Sequence, residues 1–466
     1  MTKDVSKKDL FARVPVPQAL MTMAVPTIIS QLINLVYNMV DAFFIGRTGN
    51  SYMVAATTLT LTLVLMNTAL SNIFGVGGGS LVARLMGVNQ EEESRRVSAL
   101  SVCGAASIAL IYSLLVGLSL RRLLFFLGAS GETISYASQY TALVIVVGSL
   151  PSILSMTLAH LLRNAGYARQ ASMGLSSGGV LNMALDPLFM FVLLPRGYEV
   201  VGAALATLLS NLAACVYLLA TYVKATGTAP LSISPRMAAR VRRDSVRQLF
   251  AVGIPSAILT GLFDLANVCV NMLASAHSDL VLAGMGIVMK IERVPTAINL
   301  GICQGAMPII AYNYASGDRE RMKETIDTAR RWGLAVAACA IILFELLAIP
   351  LTKLFLSSSG DALAAATTLG FAALFLRIRC VASPLQFLNY HTSYCMQAMG
   401  LGKATMLHAV VRELVFYIPC MFLLDRLFGE IGLAAALPVG EGCGAVFALL
   451  LLRSILKRDN RQGMRA

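Results

Sequence analysis

Long apolar runs alternate with short polar ones along the whole chain. Twelve such runs lie near 17–43, 51–76, 97–120, 134–159, 171–194, 200–223, 248–275, 280–304, 328–350, 362–390, 405–424 and 431–456. Each reaches the ~20 residues a helix needs to cross a hydrocarbon core of ~30 Å. Period-two alternation, the signature of a barrel strand, is absent, and helices satisfy their own backbone hydrogen bonds in lipid. The pattern predicts an all-α polytopic membrane protein with twelve transmembrane helices. One long polar connection, from about Lys224 to Gln248, falls at the midpoint.

The chain also repeats itself. Pro26 precedes Pro255 by 229 residues, Asn38 precedes Asn267 by 229, Gly78 precedes Gly305 by 227, and Gly166-Tyr167-Ala168-Arg169 precedes Gly400-Leu401-Gly402-Lys403 by 234. Gly202-Ala203-Ala204 is matched by Gly432-Leu433-Ala434 at 230. Two pseudo-symmetric six-helix bundles follow: an N-terminal lobe (1–225), a cytoplasmic linker (226–247) and a C-terminal lobe (248–466). Because six is even, the halves run the same way through the membrane as parallel repeats. Two bundles joined by a linker can rock around a shared cavity, which is a transporter's architecture.

Composition sharpens this picture. Of 466 residues, 57% are hydrophobic and 13% charged, about half the ~25% of a soluble domain, which excludes a soluble enzyme, a DNA-binding module and a disordered tail. The net charge of +13 is a matter of topology. Twenty-six Lys and Arg residues, among them Lys3, Lys7, Lys8, Arg13, the run Arg236–Arg247 and Arg453–Arg465, fall on one side; Arg47, Arg121, Arg122, Arg196, Lys353 and Arg426 fall on the other. By the positive-inside rule both termini lie in the cytoplasm, in a multi-pass protein of the cytoplasmic membrane, and no nucleic-acid partner is needed to explain the charge. The start through Gln18 is polar and basic, with no signal-peptide core. The nine cysteines are scattered singly and read as small buried hydrophobes.

Acids inside spans are expensive and default to function. Asn34, Tyr37, Asn38 and Asp41 share one face of helix 1, so that stripe must turn toward a cavity; the plainer alternative makes Asp41 a structural hydrogen-bond partner. Pro26 removes one helical bond and permits a kink, a candidate gate. In helix 5, Asn182 and Asp186 lie at i, i+4, and Pro187 cannot donate to the Met183 carbonyl. With Thr207 of helix 6 these make a set of hard oxygen ligands suited to Na⁺, or else an Asn/Asp staple between helices. Asp264 and Glu292 are possible acids of the second lobe, Glu292 either functional or neutralised by a basic neighbour across the bundle. Glu345, Glu413 and Glu441 read as span-end residues or partners of nearby Arg412. Gly77-Gly78-Gly79 lacks the Lys and Ser/Thr of a phosphate loop and reads as close helix packing. The four histidines lack metal-ligand spacing, and no grouping suggests catalysis or an ATP-binding domain.

The run Pro26…Asn38-Met39-Val40-Asp41-Ala42-Phe43-Phe44-Ile45-Gly46, the Asn182…Asp186-Pro187 motif and the duplication resemble the multidrug and toxic compound extrusion (MATE) family over residues 15–455. The resemblance implies twelve helices in two lobes and export of lipophilic, often cationic compounds driven by entry of Na⁺ or H⁺. It further implies an N-lobe cation site of Asp41, Asn182, Asp186 and Thr207. Helix 10 departs from relatives that carry a C-lobe acid there: it has Arg377 and Arg379 and no acid. A 229-residue shift also maps Asp41 onto Val270, so the ion site is expected to be one-sided. The expected protein is a cation-coupled antiporter acting as a monomer in the bilayer, with Na⁺ favoured and H⁺ competing for the same carboxylates. A lipid-linked precursor flippase of the same superfamily is the first alternative, a channel or sensor the second.

Overall fold

The computed structural model describes residues 7–355 and 362–463, all of them in helices or the short turns between. Lys3 and Arg465 of the basic clusters lie outside the described residues. A short helix, Lys7–Ala12, leads into the N-lobe: α1 Val16–Arg47, α2 Ser51–Gly87, α3 Glu91–Phe126, α4 Thr133–Val147 with Ser149–Asn164, α5 Ala168–Leu193 and α6 Glu199–Ala225. The C-lobe holds α7 Arg243–His277, α8 Asp279–Ser316, α9 Arg319–Phe355 and α10 Ala362–Cys380 with Ser383–Ala398. The last run, Gly402–Lys457, has 56 residues, a length of about 84 Å if straight, far more than one bilayer crossing. It breaks at Gly429, whose φ of 61° and ψ of −143° suit only glycine. Arg412 pairs with Glu441, Gly440 packs on Tyr417, and Gly432 packs on Leu424, so the pieces are antiparallel: α11 (402–428) and α12 (430–463).

The twelve predicted spans are therefore the twelve helices of this multi-pass membrane protein. Several continue well past the apolar run that marks them; α2 extends eleven residues beyond 76 and carries the triple glycine inside it. Gly77 faces Leu249 and Gly253 of α7, Gly78 faces Ser101 of α3, and Gly79 faces Asn164 of α4, so three helices approach α2 at one level. α4 bends by 46° at Gly148. α1 runs unbroken through Pro26. The mid-chain linker is docked on the start of α3: Ser94 donates to the Pro230 carbonyl, Ser98 accepts from Ser232 N–H, and Glu93 accepts from Arg242 N–H. Four cysteines are buried, whereas Cys339 and Cys443 are exposed.

The lobes meet at the end that carries the N-terminal helix. One apolar core there draws on both lobes, from Leu10 and Met23 through Leu81 and Leu249 to Ile310 and Leu452. Gly305 lies against Ala24, Gly301 against Ile28, and Gly253 against Ile73. Ser80 donates to the Gln397 carbonyl at 2.6 Å. The N-terminal helix straps this end: Lys8 pairs with Glu91 at 2.6 Å on the N-lobe side, while the Phe11 and Val14 carbonyls accept from Arg321 on the C-lobe side. Among the described residues the cross-lobe hydrogen bonds stop at Asn72–Thr260 (3.0 Å), midway along α2 and α7. Beyond that level each lobe has its own core: Ile45, Val116, Ile145 and Met190 in one, Val270, Met285, Phe375 and Leu437 in the other. Among the described residues the lobes are clamped at one end and share neither core nor hydrogen bond at the other, the parted end.

Candidate functional site

The polar stripe of α1 lies in the parted half. Asn34 and Asn38 are exposed, Tyr37 and Asp41 half-buried beside them, and Asn38 donates to the Asn34 carbonyl at 2.6 Å. Small residues let the neighbouring helices close on this stripe. Gly179 of α5 lies against Ile33 and Tyr37, and Gly178 lies against Ser210 and Ala214 of α6. Gly202 of α6 lies against Phe189 and Met190, where a Cβ would stand 2.9 Å from the backbone. That backbone is a π-helical turn, Phe189–Leu193, directly after Pro187; the missing proline N–H is what disturbs the α ladder.

Asp41, Asn182, Asp186 and Thr207 are brought together. Asn182 and Asp186 are buried, Asp186 completely. The Asn182 amide sits between the Asp186 carboxylate and the Thr207 hydroxyl, 3.4 Å from each. Turned the other way, it donates to Asp186 Oδ2 at 3.2 Å and accepts from Thr207 N–H at 3.3 Å. The two carboxylates are close enough to interact electrostatically, and Asp41 Oδ1 is buried with no hydrogen-bond partner. A buried anionic oxygen without a donor costs several kcal/mol, so these oxygens suit a small cation or a proton. Among the described residues no three His, Cys, Asp or Glu side chains group as a metal site; here two carboxylates stand with one amide and one hydroxyl.

One member was not foreseen. Tyr140, buried on α4, lies beside Thr207 and faces Asp41, Asp186 and Tyr37. It arrives through tertiary structure: α4 passes into a π-helical stretch, Ala142–Val147, and bends at Gly148. A lone tyrosine in an apolar run carries no periodic signal of such a role.

The second lobe is arranged differently. Glu292 of α8 is held by Arg379 of α10 in a bidentate bridge, with Nε–Oε1 3.0 Å and Nη2–Oε2 2.9 Å, so it is the neutralised alternative that the geometry adopts. Arg377 lies 3.8 Å from Glu345, both half-exposed. Asp264 is half-buried on α7, with Arg293 as its charged neighbour. Val270 is buried in the C-lobe core. Glu413 and Glu441, expected near span ends, are 1% exposed inside the lobe. Both lie at Arg412, as the second alternative has it, and the pairing of Arg412 with Glu441 across the turn at Gly429 is what carries them inside.

Comparison with known proteins agrees with this architecture. The MatE family model matches residues 26–188 and again 255–423, one copy per half. The chain belongs to the MatE family. It is 28% identical over 458 residues to multidrug export protein MepA of Staphylococcus saprophyticus, covering 97% of each chain. Its fold matches a crystal structure of MATE in complex with MaL6, with a TM-score of 0.91, 21% identity, and 99% and 100% of the two chains covered. It also matches an outward-facing conformation of a multidrug resistance MATE family transporter of the MOP superfamily, with a TM-score of 0.90, 22% identity, and 98% and 100% coverage.

Proposed function

We propose that this protein is a secondary active multidrug exporter, an antiporter that expels lipophilic, often cationic compounds from the cytoplasm as a cation enters. The observation that carries the reading is the N-lobe cluster: Asp41, Asn182, Asp186, Thr207 and Tyr140 converge from four helices, with an orphaned carboxylate oxygen among them. In this reading the clamped end is cytoplasmic, the parted end faces outward, and rocking of the lobes exchanges the two. Two carboxylates in one dry pocket repel each other unless a cation or proton lies between them, so ion occupancy and the packing of α1 on α5 are linked. Asn34, Tyr37 and Asn38 offer the adjoining drug-facing surface, and Pro26 leaves α1 able to bend on the path between states.

The oxygen set exceeds what a proton requires, which favours Na⁺ as the coupling ion with H⁺ competing. The flippase reading needs arginines free to hold a phosphate; Arg379 is already committed to Glu292. The deciding experiment is dye efflux by purified protein in sealed vesicles under an imposed Na⁺ or pH gradient. Uphill export on a Na⁺ gradient supports the reading. Full-rate export on a pH gradient without Na⁺ makes the same carboxylates proton carriers, and absence of uphill export under either gradient overturns the antiporter.

A further inference from the structure

A buried polar chain runs through the C-lobe across α10, α11 and α12. Arg412 is 1% exposed and meets Glu441 twice, Nε–Oε2 3.0 Å and Nη2–Oε1 2.6 Å, under the ring of Tyr390 at 4.8 Å. Asn389 Nδ2 donates to Glu441 Oε2 at 2.7 Å. That leaves Asn389 Oδ1 as an acceptor, so His408 donates from Nε2 (3.1 Å), while its Nδ1 lies 2.9 Å from the Ser393 hydroxyl, which can donate to it. Buried in the same cluster as the Arg412 guanidinium, His408 is disfavoured as a second cation and reads as the neutral imidazole protonated at Nε2. Glu441, accepting from three N–H groups, is the anion that balances Arg412.

Glu413 is left over. Both of its oxygens are buried and accept no hydrogen bond. Its nearest cationic atom, Arg412 Nε at 3.5 Å, already spends its proton on Glu441. The other groups facing this position are Glu441 from α12, Tyr390 from α10 and, one turn on, Tyr417, which contacts Arg379 and interacts with Glu292. No second cation is available to Glu413, since Arg379 is committed to Glu292. An ionised Glu413 would give the cluster a net charge of −1 in a dry interior, with neither of its oxygens accepting a hydrogen bond. We infer that Glu413 holds a proton in this state and forms a second proton-binding site, in the lobe that lacks a counterpart of Asp41.

The repeat makes sense of the arrangement. Asn182 lies on α5 and Arg412 on α11, its counterpart in the repeat. Where the N-lobe leaves room for a mobile cation, the C-lobe has a guanidinium tethered to the chain, and only the surplus carboxylate can exchange a proton. Glu413 also lies within a π-helical turn, Val411–Tyr417. Such turns hold one residue more than the α ladder accommodates, and reverting to α would rotate Arg412 and Glu413 together against α12.

The test is infrared spectroscopy of the full-length protein in lipid vesicles at neutral pH, reading the D₂O-sensitive C=O stretch of a protonated carboxyl. The wild type is expected to show this band, Asp41→Asn and Asp186→Asn each to retain a component of it, and Glu413→Gln to lose that shared component. Because Gln mimics the protonated acid, Glu413→Gln is also expected to keep the wild-type melting temperature, whereas Glu441→Gln falls by about 5 °C or more. An unchanged band in Glu413→Gln overturns the proposal. So does a Glu413→Gln protein that melts as early as Glu441→Gln or fails to fold, because either behaviour marks Glu413 as an ionised partner of Arg412. No transport is measured, so failure here leaves the N-lobe reading standing.

Discussion

Asp41 is the one acid of α1, and its buried oxygen has no donor, so neutralising it removes charge without breaking a hydrogen bond. Asp41→Asn is expected to cut gradient-driven efflux at least ~10-fold while the purified protein melts at or above the wild-type temperature, because a repulsive pair is relieved; efflux at the wild-type rate at matched expression would remove Asp41 from the coupling site. In the proposed sodium site Asn182 would supply an oxygen to the ion, whereas a proton would sit on a carboxylate and feel Asn182 only through its hydrogen bond to Asp186. Asn182→Ala should therefore weaken the apparent Na⁺ affinity of efflux about tenfold, ~1.4 kcal/mol, with the pH dependence little changed, and equal loss of both would refute the sodium assignment. Val270 is the control in the other lobe. It sits in the C-lobe core, so Val270→Ala should cost about 1–2 kcal/mol of stability and leave ion dependence as it was. A loss of coupling matching that of Asp41→Asn would mean that the lobes share the ion site.

Helices show best what a linear pattern can and cannot convey. The spans were legible because a lipid-facing helix must be apolar over a length set by the bilayer, and the repeat was legible because glycines at helix contacts recur: Gly202 beneath Met190 and Gly432 beneath Leu424 do the same job in each lobe. The i, i+4 pair Asn182–Asp186 was legible for the same reason, one helix face. Tyr140 was not, nor was the burial of the Arg412–Glu413–Glu441 group, since each depends on which helices become neighbours after π turns and bends have reset their faces. The interface glycines offer an element-scale test. A Cβ at Gly305 would stand 2.6 Å from Ala24 Cα, with backbone behind it that cannot yield. Gly305→Val is expected to wedge α8 from α1, abolish efflux and lengthen spin-label distances between the lobes at the clamped end. Unchanged distances with normal efflux would show that this contact does not hold the clamp.

The whole molecule is two lobes sharing one core at one end, fastened by an N-terminal helix that grips both. Arg321 is the C-lobe half of that fastening, donating to the Phe11 and Val14 carbonyls. Arg321→Ala should shift the equilibrium toward the state parted at that end by about 1–2 kcal/mol, read as a larger fraction of long inter-lobe distances; a distribution identical to wild type would make the strap passive. The position of the shared core reaches into how binding is measured. In the proposed alternating-access cycle, opening the clamped end would take apart the most extensive apolar cluster among the described residues, so much of the heat-resistant packing would belong to one conformer only. A compound that binds tightly by holding the clamped end apart would leave the chain easier to melt, while a weaker one that favours this conformer would protect it. In a thermal-shift screen of this protein, the sign of the shift would report which way the transporter faces, and its size would be a poor guide to affinity.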